Sequence, residues 1–152
     1  GNTNAEKALA EINPDNIRAL DVATALNMQI INFDTASSNI PDANKSILDQ
    51  AAALIKRASQ VHLTVKGHTD AMGDVAANKA LSQKRAQAVV DYLVKQGVDP
   101  AQLQAVGYGS EQPVADNATA EGQFKNRRIE FEVLNTETGV AREVNEQGVN
   151  QQ

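Results

Sequence analysis

A two-layer α/β sandwich, with helices packed on a small mixed sheet, is the fold class this sequence predicts, and four stretches predict it. Ile47, Leu48, Ala51, Leu54, Ile55 and Ala58 recur at helical intervals and form one apolar stripe. Val61, Leu63 and Val65 then alternate with His62, Thr64 and Lys66, the period of a half-buried strand ending at Gly67. Helical spacing returns with Ala86, Val89, Val90 and Leu93, and Ile129, Phe131 and Val133 later alternate with Glu130 and Glu132 as a last strand. With a strand ahead of the first helix and another between Leu103 and Gly109, the order is β-α-β-α-β-β.

The remaining elements follow from local chemistry. Residues 1–24 carry two weak helical patterns, Ala5-Leu9-Ile12 and Ile17-Leu20-Ala23, separated by Pro14-Asp15, and read as a lead segment or linker. The apolar, β-forming run from Leu26 to Phe33 ends at Asp34-Thr35 and predicts the first strand. Pro41 suits the first turn of the next helix, with Ser38 or Asn39 as its cap. Asp74 is a good N-cap for the second long helix, and Gly97 stops it near Gln96. Leu103, Ala105 and Val106 form a short strand closed by Gly107-Tyr108-Gly109, and a polar loop through Pro113 and Asn117 follows. The domain proper thus spans residues 25–134. Beyond it, residues 135–152 are a polar tail with too little apolar surface to offset its ordering entropy, and are expected to be mobile.

Composition excludes several functions. The 152 residues suffice for one domain, and with aromatic residues at only 3% the core must be built from Val, Ile, Leu and Ala. A net charge of −5 argues against nucleic-acid binding, which needs clustered Lys and Arg. There are no cysteines, hence no disulfides, thiol catalysis or cysteine zinc sites. No run approaches the roughly 20 apolar residues of a membrane-spanning helix. The chain starts at Gly1 without an initiator Met, as a processed or excised fragment would, so membrane attachment would come only through a segment outside it.

The stretch that carries chemistry is Gly67-His68-Thr69-Asp70, then Gly73, then Asn78, Leu81, Ser82 and Arg85. It sets a carboxylate just beyond a strand and a guanidinium on the following helix. Asn78, Leu81, Ser82 and Arg85 fall at i, i+3, i+4 and i+7 and share one helix face. An acid and a base a few ångströms apart suit a zwitterion, whose ammonium pairs with the acid and whose carboxylate pairs with the base. With no ligand present, Asp70 and Arg85 are expected to pair with each other, because an isolated buried charge is costly. Taken singly, Arg85 reads equally as a solvated helical charge and Asp70 as a turn residue bonding its own backbone. His62 and His68 lie on the same strand face roughly 20 Å apart, too far to share a metal. His68 is instead expected to be a buried, hydrogen-bonded residue shaping the Asp70 loop. Ser82 lacks a nucleophile elbow, and a hydrolase triad with His68 and Asp70 is disfavoured by the closeness of those two in sequence.

This motif resembles the signature of the OmpA-like C-terminal peptidoglycan-binding domain, the family that includes OmpA, Pal and MotB. The resemblance continues in order through Gly107-Tyr108-Gly109, Pro113, Asn117-x-Thr119, Gly122 and Asn126-Arg127-Arg128-Ile129-Glu130, with Phe33-Asp34 before the first helix, and covers about residues 26–134. It implies a noncatalytic module without cofactors, gripping the diaminopimelate of peptidoglycan stem peptides in the periplasm of a Gram-negative cell. Such a module tethers the outer membrane or an envelope complex to the cell wall. By the same resemblance Asp70 takes the ligand ammonium and Arg85 its carboxylate. Asn78 and Arg127 line the pocket with Leu81 on the same helix face, and Asp34, Asn39 and Thr69 give supporting contacts. Gln123 departs from the family, which often has Arg after the glycine. A docking role toward other envelope proteins is the rival reading. Porin, lipoprotein and stator subunit all remain open as the parent.

Overall fold

The computed structural model describes residues 3–135 and 140–141. Five helices and a small sheet share one core. They are α1 (Thr3–Ala10), α2 (Ala19–Asn27), α3 (Lys45–Arg57), β1 (Leu63–His68), α4 (Val75–Lys95), β2 (Leu103–Gly109), α5 (Ala120–Asn126), β3 (Arg128–Asn135) and β4 (Val140–Ala141). Strand β1 is central, parallel to β2 (Leu63↔Leu103) and antiparallel to β3 (Leu63↔Val133). The two-residue β4 pairs with the end of β3 through Leu134↔Ala141. The sandwich of helices on a small mixed sheet is the one predicted. Of the tail expected over 135–152, Asn135 and β4 are in strand and the rest lies outside the described residues.

The two long helices carry the predicted stripes inward. Ile47, Leu48, Ala51 and Ile55 of α3 and Ala86, Val89, Val90 and Leu93 of α4 are all buried. They close on Leu63 and Val65 of β1 and on Ile129 and Phe131 of β3, in a core with few aromatic residues. Helix α4 lies very near the sheet because two strand residues lack side chains. A Cβ on Gly67 would overlap the Ser82 carbonyl, and one on Gly107 would overlap the Gln83 backbone. Asp74 caps α4 by accepting from the Ala77 N–H at 2.8 Å, and Gly97 leaves it at φ +110.

Two expectations fail on the N-terminal side. Residues 3–24, read as a lead segment or linker, form helices whose Ala5, Leu9, Ile17, Val22 and Ala23 belong to the common core. No strand forms over Leu26–Phe33. Val22, Ala23, Ala25 and Leu26 are spaced for a helix and end α2, while Met28 and Ile30 beyond them are 54% and 56% exposed. The position that strand would have taken beside β3 is filled by Asn27. Its side chain donates to the Phe131 carbonyl at 2.9 Å and accepts from the Phe131 N–H at 2.8 Å, as a neighbouring strand would. Gln83 does the same to β2, donating to the Ala105 carbonyl and accepting from the Gly107 N–H.

The start of α3 also differs. Pro41 precedes a single 3-10 turn, Asp42–Asn44, and neither Ser38 nor Asn39 caps the helix. Strand β1 is buried on both faces rather than half-buried, because it has a strand on each side and long polar side chains crowd its helix-free face. Lys66 there lies 3.7 Å from Glu132 and 5.1 Å from the Tyr108 ring centre.

Candidate ligand-binding site

Beyond the C-terminal end of β1 the chain turns through a bracket that fixes Asp70. The Thr69 N–H donates to the Gly109 carbonyl (2.8 Å), tying the bracket to the end of β2, and the Thr69 hydroxyl donates to the Asp70 carbonyl (2.8 Å). Asp70 Oδ1 accepts from the Met72 N–H at 2.9 Å, so the turn-forming role weighed for this residue is real. Gly73, at φ +88, brings the chain round to the α4 cap. Asn78 closes the bracket from the first turns of α4, donating to the Met72 carbonyl at 2.8 Å. Asp70 is left 9% exposed, at the side of an open cleft of about 660 Å³.

Arg85 enters the same cleft from mid-α4 and is 6% exposed. Its Nε donates to the Ser37 carbonyl (2.8 Å), its Nη2 to the Asp34 carbonyl (3.0 Å), and its guanidinium lies 5.1 Å from the Phe33 ring centre. The carbonyls come from a turn in which Ala36 adopts a left-handed φ of +59, unusual for a residue with a side chain. Burial lowers the Arg85 pKa, as does the nearby charge of Arg127, while Asp70 opposes both. An arginine stays charged through such a shift.

Asp70 and Arg85 are not partners in this empty cleft, contrary to expectation. Asp70 Oδ2 is 2.6 Å from Arg127 Nη1. The reason is reach: α5 ends at Asn126 and delivers Arg127 directly to the Asp70 bracket, whereas Arg85 is engaged by main-chain carbonyls. Three charged groups therefore line the cleft, Asp70, Arg85 and Arg127, leaving one surplus positive charge.

The other expected residues divide. Thr69, Asn78 and Leu81 line the cleft. Asp34 is exposed and reaches Arg85 through its main-chain carbonyl, not its carboxylate. Asn39 lies in a separate depression with Lys45, Asp91 and Tyr92. Phe124 and Met72, which sequence reasoning passed over, form apolar wall with Phe33. A cue existed for Phe124, since it stands three residues before Arg127. Helix α5 lies within the polar stretch that the sequence predicts as loop. It is held by Asn126, fully buried, which accepts from the Val114 and Ala115 N–H groups and donates to Asn117 Oδ1. Asn117 Oδ1 accepts in turn from the Ala71 N–H, coupling α5 to the Asp70 bracket. Gln123, the departure from the family pattern, donates to the Asn117 carbonyl at 2.8 Å and so supports the same coupling.

His68 is buried as expected, but it is held by packing more than by hydrogen bonds. Its ring stacks on Tyr108 with centroids 5.5 Å apart, and Nε2 lies 3.5 Å from Glu130 Oε1, long for a hydrogen bond. Contact with His68, and then with Arg128, pulls the Glu130 carboxyl down to about 2 against the opposing effect of burial. Ser82 is fully buried, its hydroxyl donating to the Lys79 carbonyl and accepting from the Gly109 N–H.

Comparison with known proteins follows the same cleft. The sequence model of the OmpA family matches residues 32–127, a span that includes every residue lining it. The chain belongs to the OmpA family. This OmpA-family chain is 43% identical over 114 residues to outer membrane porin F of Pseudomonas aeruginosa, covering 74% of the chain and 33% of that protein. It is 41% identical over 99 residues to the peptidoglycan-associated lipoprotein of the same organism, covering 65% of the chain and 58% of that protein. Among solved structures, the peptidoglycan-associated lipoprotein of Burkholderia pseudomallei superposes with a TM-score of 0.67 at 34% identity, over 75% of this chain and 98% of that one. The chain thus spans about a third of the porin's length.

Proposed function

We propose that the cleft binds the free amino-acid end of diaminopimelate in peptidoglycan stem peptides and performs no chemistry on it. The observation that carries this is a buried carboxylate and a buried guanidinium, Asp70 and Arg85, lining one open cavity and not neutralising each other. The ligand ammonium meets Asp70, sharing or displacing its bond to Arg127. The ligand carboxylate meets Arg85, with Arg127 close by as a second cation. Each charge-assisted hydrogen bond contributes roughly 1.5–3 kcal/mol, and only a zwitterion makes both. Leu81, Phe33, Met72 and Phe124 offer apolar surface to the methylene chain between the ligand's two ends. The names of two relatives, both peptidoglycan-associated lipoproteins, support the reading.

In this reading the module works in the periplasm of a Gram-negative cell, tethering the outer membrane or an envelope complex to the wall. The folded unit includes α1 and α2, whose Ala5, Leu9, Val22 and Ala23 share its core. Single contacts are modest, and retention comes from the high local density of identical ligands in the wall.

Calorimetric titration with a diaminopimelate-containing stem peptide tests this, beside a lysine-containing peptide and the variants Asp70→Ala and Arg85→Ala. The expected result is saturable binding of the first peptide, absent with the second and lost in both variants while each stays folded. Undiminished binding by the variants would remove the cleft from the function and turn the search to protein partners.

A further inference from the structure

A second, smaller cavity of about 210 Å³ adjoins the cleft. Phe124 and Arg127 line both, so the two spaces are separated by the side chains of one short helix and the residue after it. Its far side is formed by Asn27 at the end of α2, by Gln29 and Ile30 in the irregular segment that follows, and by the start of β3.

Two observations point to a ligand. Gln29 lines this cavity at 7% exposure, and its Nε2 is buried without a hydrogen-bond partner, a condition shared among the described residues only by the His68 ring nitrogens. An unmet buried donor is costly, and the last torsion of a glutamine is soft enough to turn the amide toward an arriving acceptor. Ile30 and Phe124 are apolar and 56% and 38% exposed at the same place, surface that a small apolar group would cover.

The charges at this cavity say what kind of acceptor it suits. Lys125 is paired with Glu121 at 3.6 Å, Arg128 with Glu130, and Arg127 with Asp70. Lys125 and Arg128 have carboxylate partners of their own, and Arg127, when the ligand ammonium displaces it from Asp70, serves the ligand carboxylate in the cleft, so the orphan amide suits a neutral oxygen and the apolar walls suit a small side chain beside it.

We infer that this cavity is a subsite for the peptide next to the diamino acid, taking a backbone carbonyl at Gln29 and a small apolar side chain, such as an alanine methyl, between Ile30 and Phe124. The inference rests on the cleft holding the zwitterionic end, because that end places the rest of the peptide. It assigns to Gln29 and Ile30, neither of which lines the cleft, the discrimination between a free diamino acid and one embedded in a peptide.

The test compares free meso-diaminopimelate with the tetrapeptide L-Ala-γ-D-Glu-meso-diaminopimelate-D-Ala by calorimetry, on the parent chain and on Gln29→Leu and Ile30→Glu. Ile30 is exposed, so its variant keeps the test sound if Gln29→Leu is poorly folded. The tetrapeptide is expected to bind the parent at least fivefold tighter than the free diamino acid. That advantage should shrink to within twofold in either folded variant, with affinity for the free diamino acid unchanged. A tetrapeptide advantage that persists in a folded variant, or no advantage in the parent, overturns the subsite and leaves the cleft standing. If the parent binds neither probe, the cleft reading falls and the subsite falls with it.

Discussion

Arg85 projects from the middle of a 21-residue helix and is 6% exposed, whereas Arg127 follows a seven-residue helix with its side chain 37% exposed. Both line the same cleft. The first donates to two main-chain carbonyls, which orient it without cancelling its charge. The second is paired with a carboxylate and is close to neutralised. A neutral dipole can hold a guanidinium in place and leave its full charge for an anion, whereas a carboxylate holds it by consuming that charge. In the proposed function, Arg85 is therefore the prepared anion seat, and Arg127 the placeholder that keeps Asp70 from standing alone in a poorly solvated position when no ammonium is there.

The largest expected effect comes from moving one arginine's carrier and not the other's. Gly67→Ala places a methyl against the Ser82 carbonyl and drives α4 off the sheet. A loss of about 1–3 kcal/mol in chemical denaturation is expected, as for other overpacked cores. Diaminopimelate binding should fall with it, since Arg85 rides on α4. A variant of unchanged midpoint would mean the helix has slack against the sheet.

Next in size is the contrast between the arginines themselves. Arg85→Lys keeps the charge but loses the fork that spans Ser37 and Asp34, and affinity is expected to drop about 10- to 100-fold. Arg127→Lys should cost less than threefold, because one ammonium can still meet Asp70. Equal losses in the two titrations would erase the distinction between seat and placeholder.

Smaller again is the effect of Arg127→Ala, expected to change affinity by less than tenfold while flattening its dependence on salt. Removing the competitor for Asp70 and removing a nearby cation pull in opposite directions. A loss as large as that in Arg85→Ala would instead make Arg127 a primary ligand.

The smallest effect concerns the strand that follows Arg127. Glu130 is held at about 2 when folded, below its ordinary value of 4.5. Its contribution to stability is therefore fully present above about pH 5 and is lost as pH falls from about 4.5 toward 2. With the carboxylate partly exposed, the loss is on the order of 1 kcal/mol after solvent screening. Glu130→Gln should lower the melting temperature at pH 7 and show a shallower fall than the parent between pH 5 and 2. Parallel curves would show that other carboxylates dominate the acid limb.

Much of the scaffold could be read from spacing alone, because α3, β1, α4 and β3 bury regular stripes and a stripe is a periodic signal. Asp74 and Gly97 were equally legible, since capping and left-handed turns depend on a few neighbours. Over Leu26–Phe33 apolar content points to a strand, but spacing decides: Val22, Ala23, Ala25 and Leu26 fit a helix, and Met28 and Ile30 are exposed. Helix α5 was hidden because what holds it is a buried Asn126 serving loop amides, an interaction without periodicity. At the cleft, Asp70 and Arg85 stand out from their placement at a strand end and on a helix face, and the motif resemblance adds Arg127. Their pairing is not legible there, since which arginine reaches Asp70 depends on where α5 ends, a tertiary fact.

The edge strand β2, and β3 along the stretch that the two-residue β4 does not reach, each carry a glutamine or asparagine amide where another chain could add on: Gln83 at Ala105 and Gly107, and Asn27 at Phe131. Those sites would otherwise be templates for strand-to-strand growth. Copies crowded side by side can therefore stay separate solutes instead of seeding fibrils, and a single Asn27→Ala or Gln83→Ala change would be felt first as turbidity at high concentration.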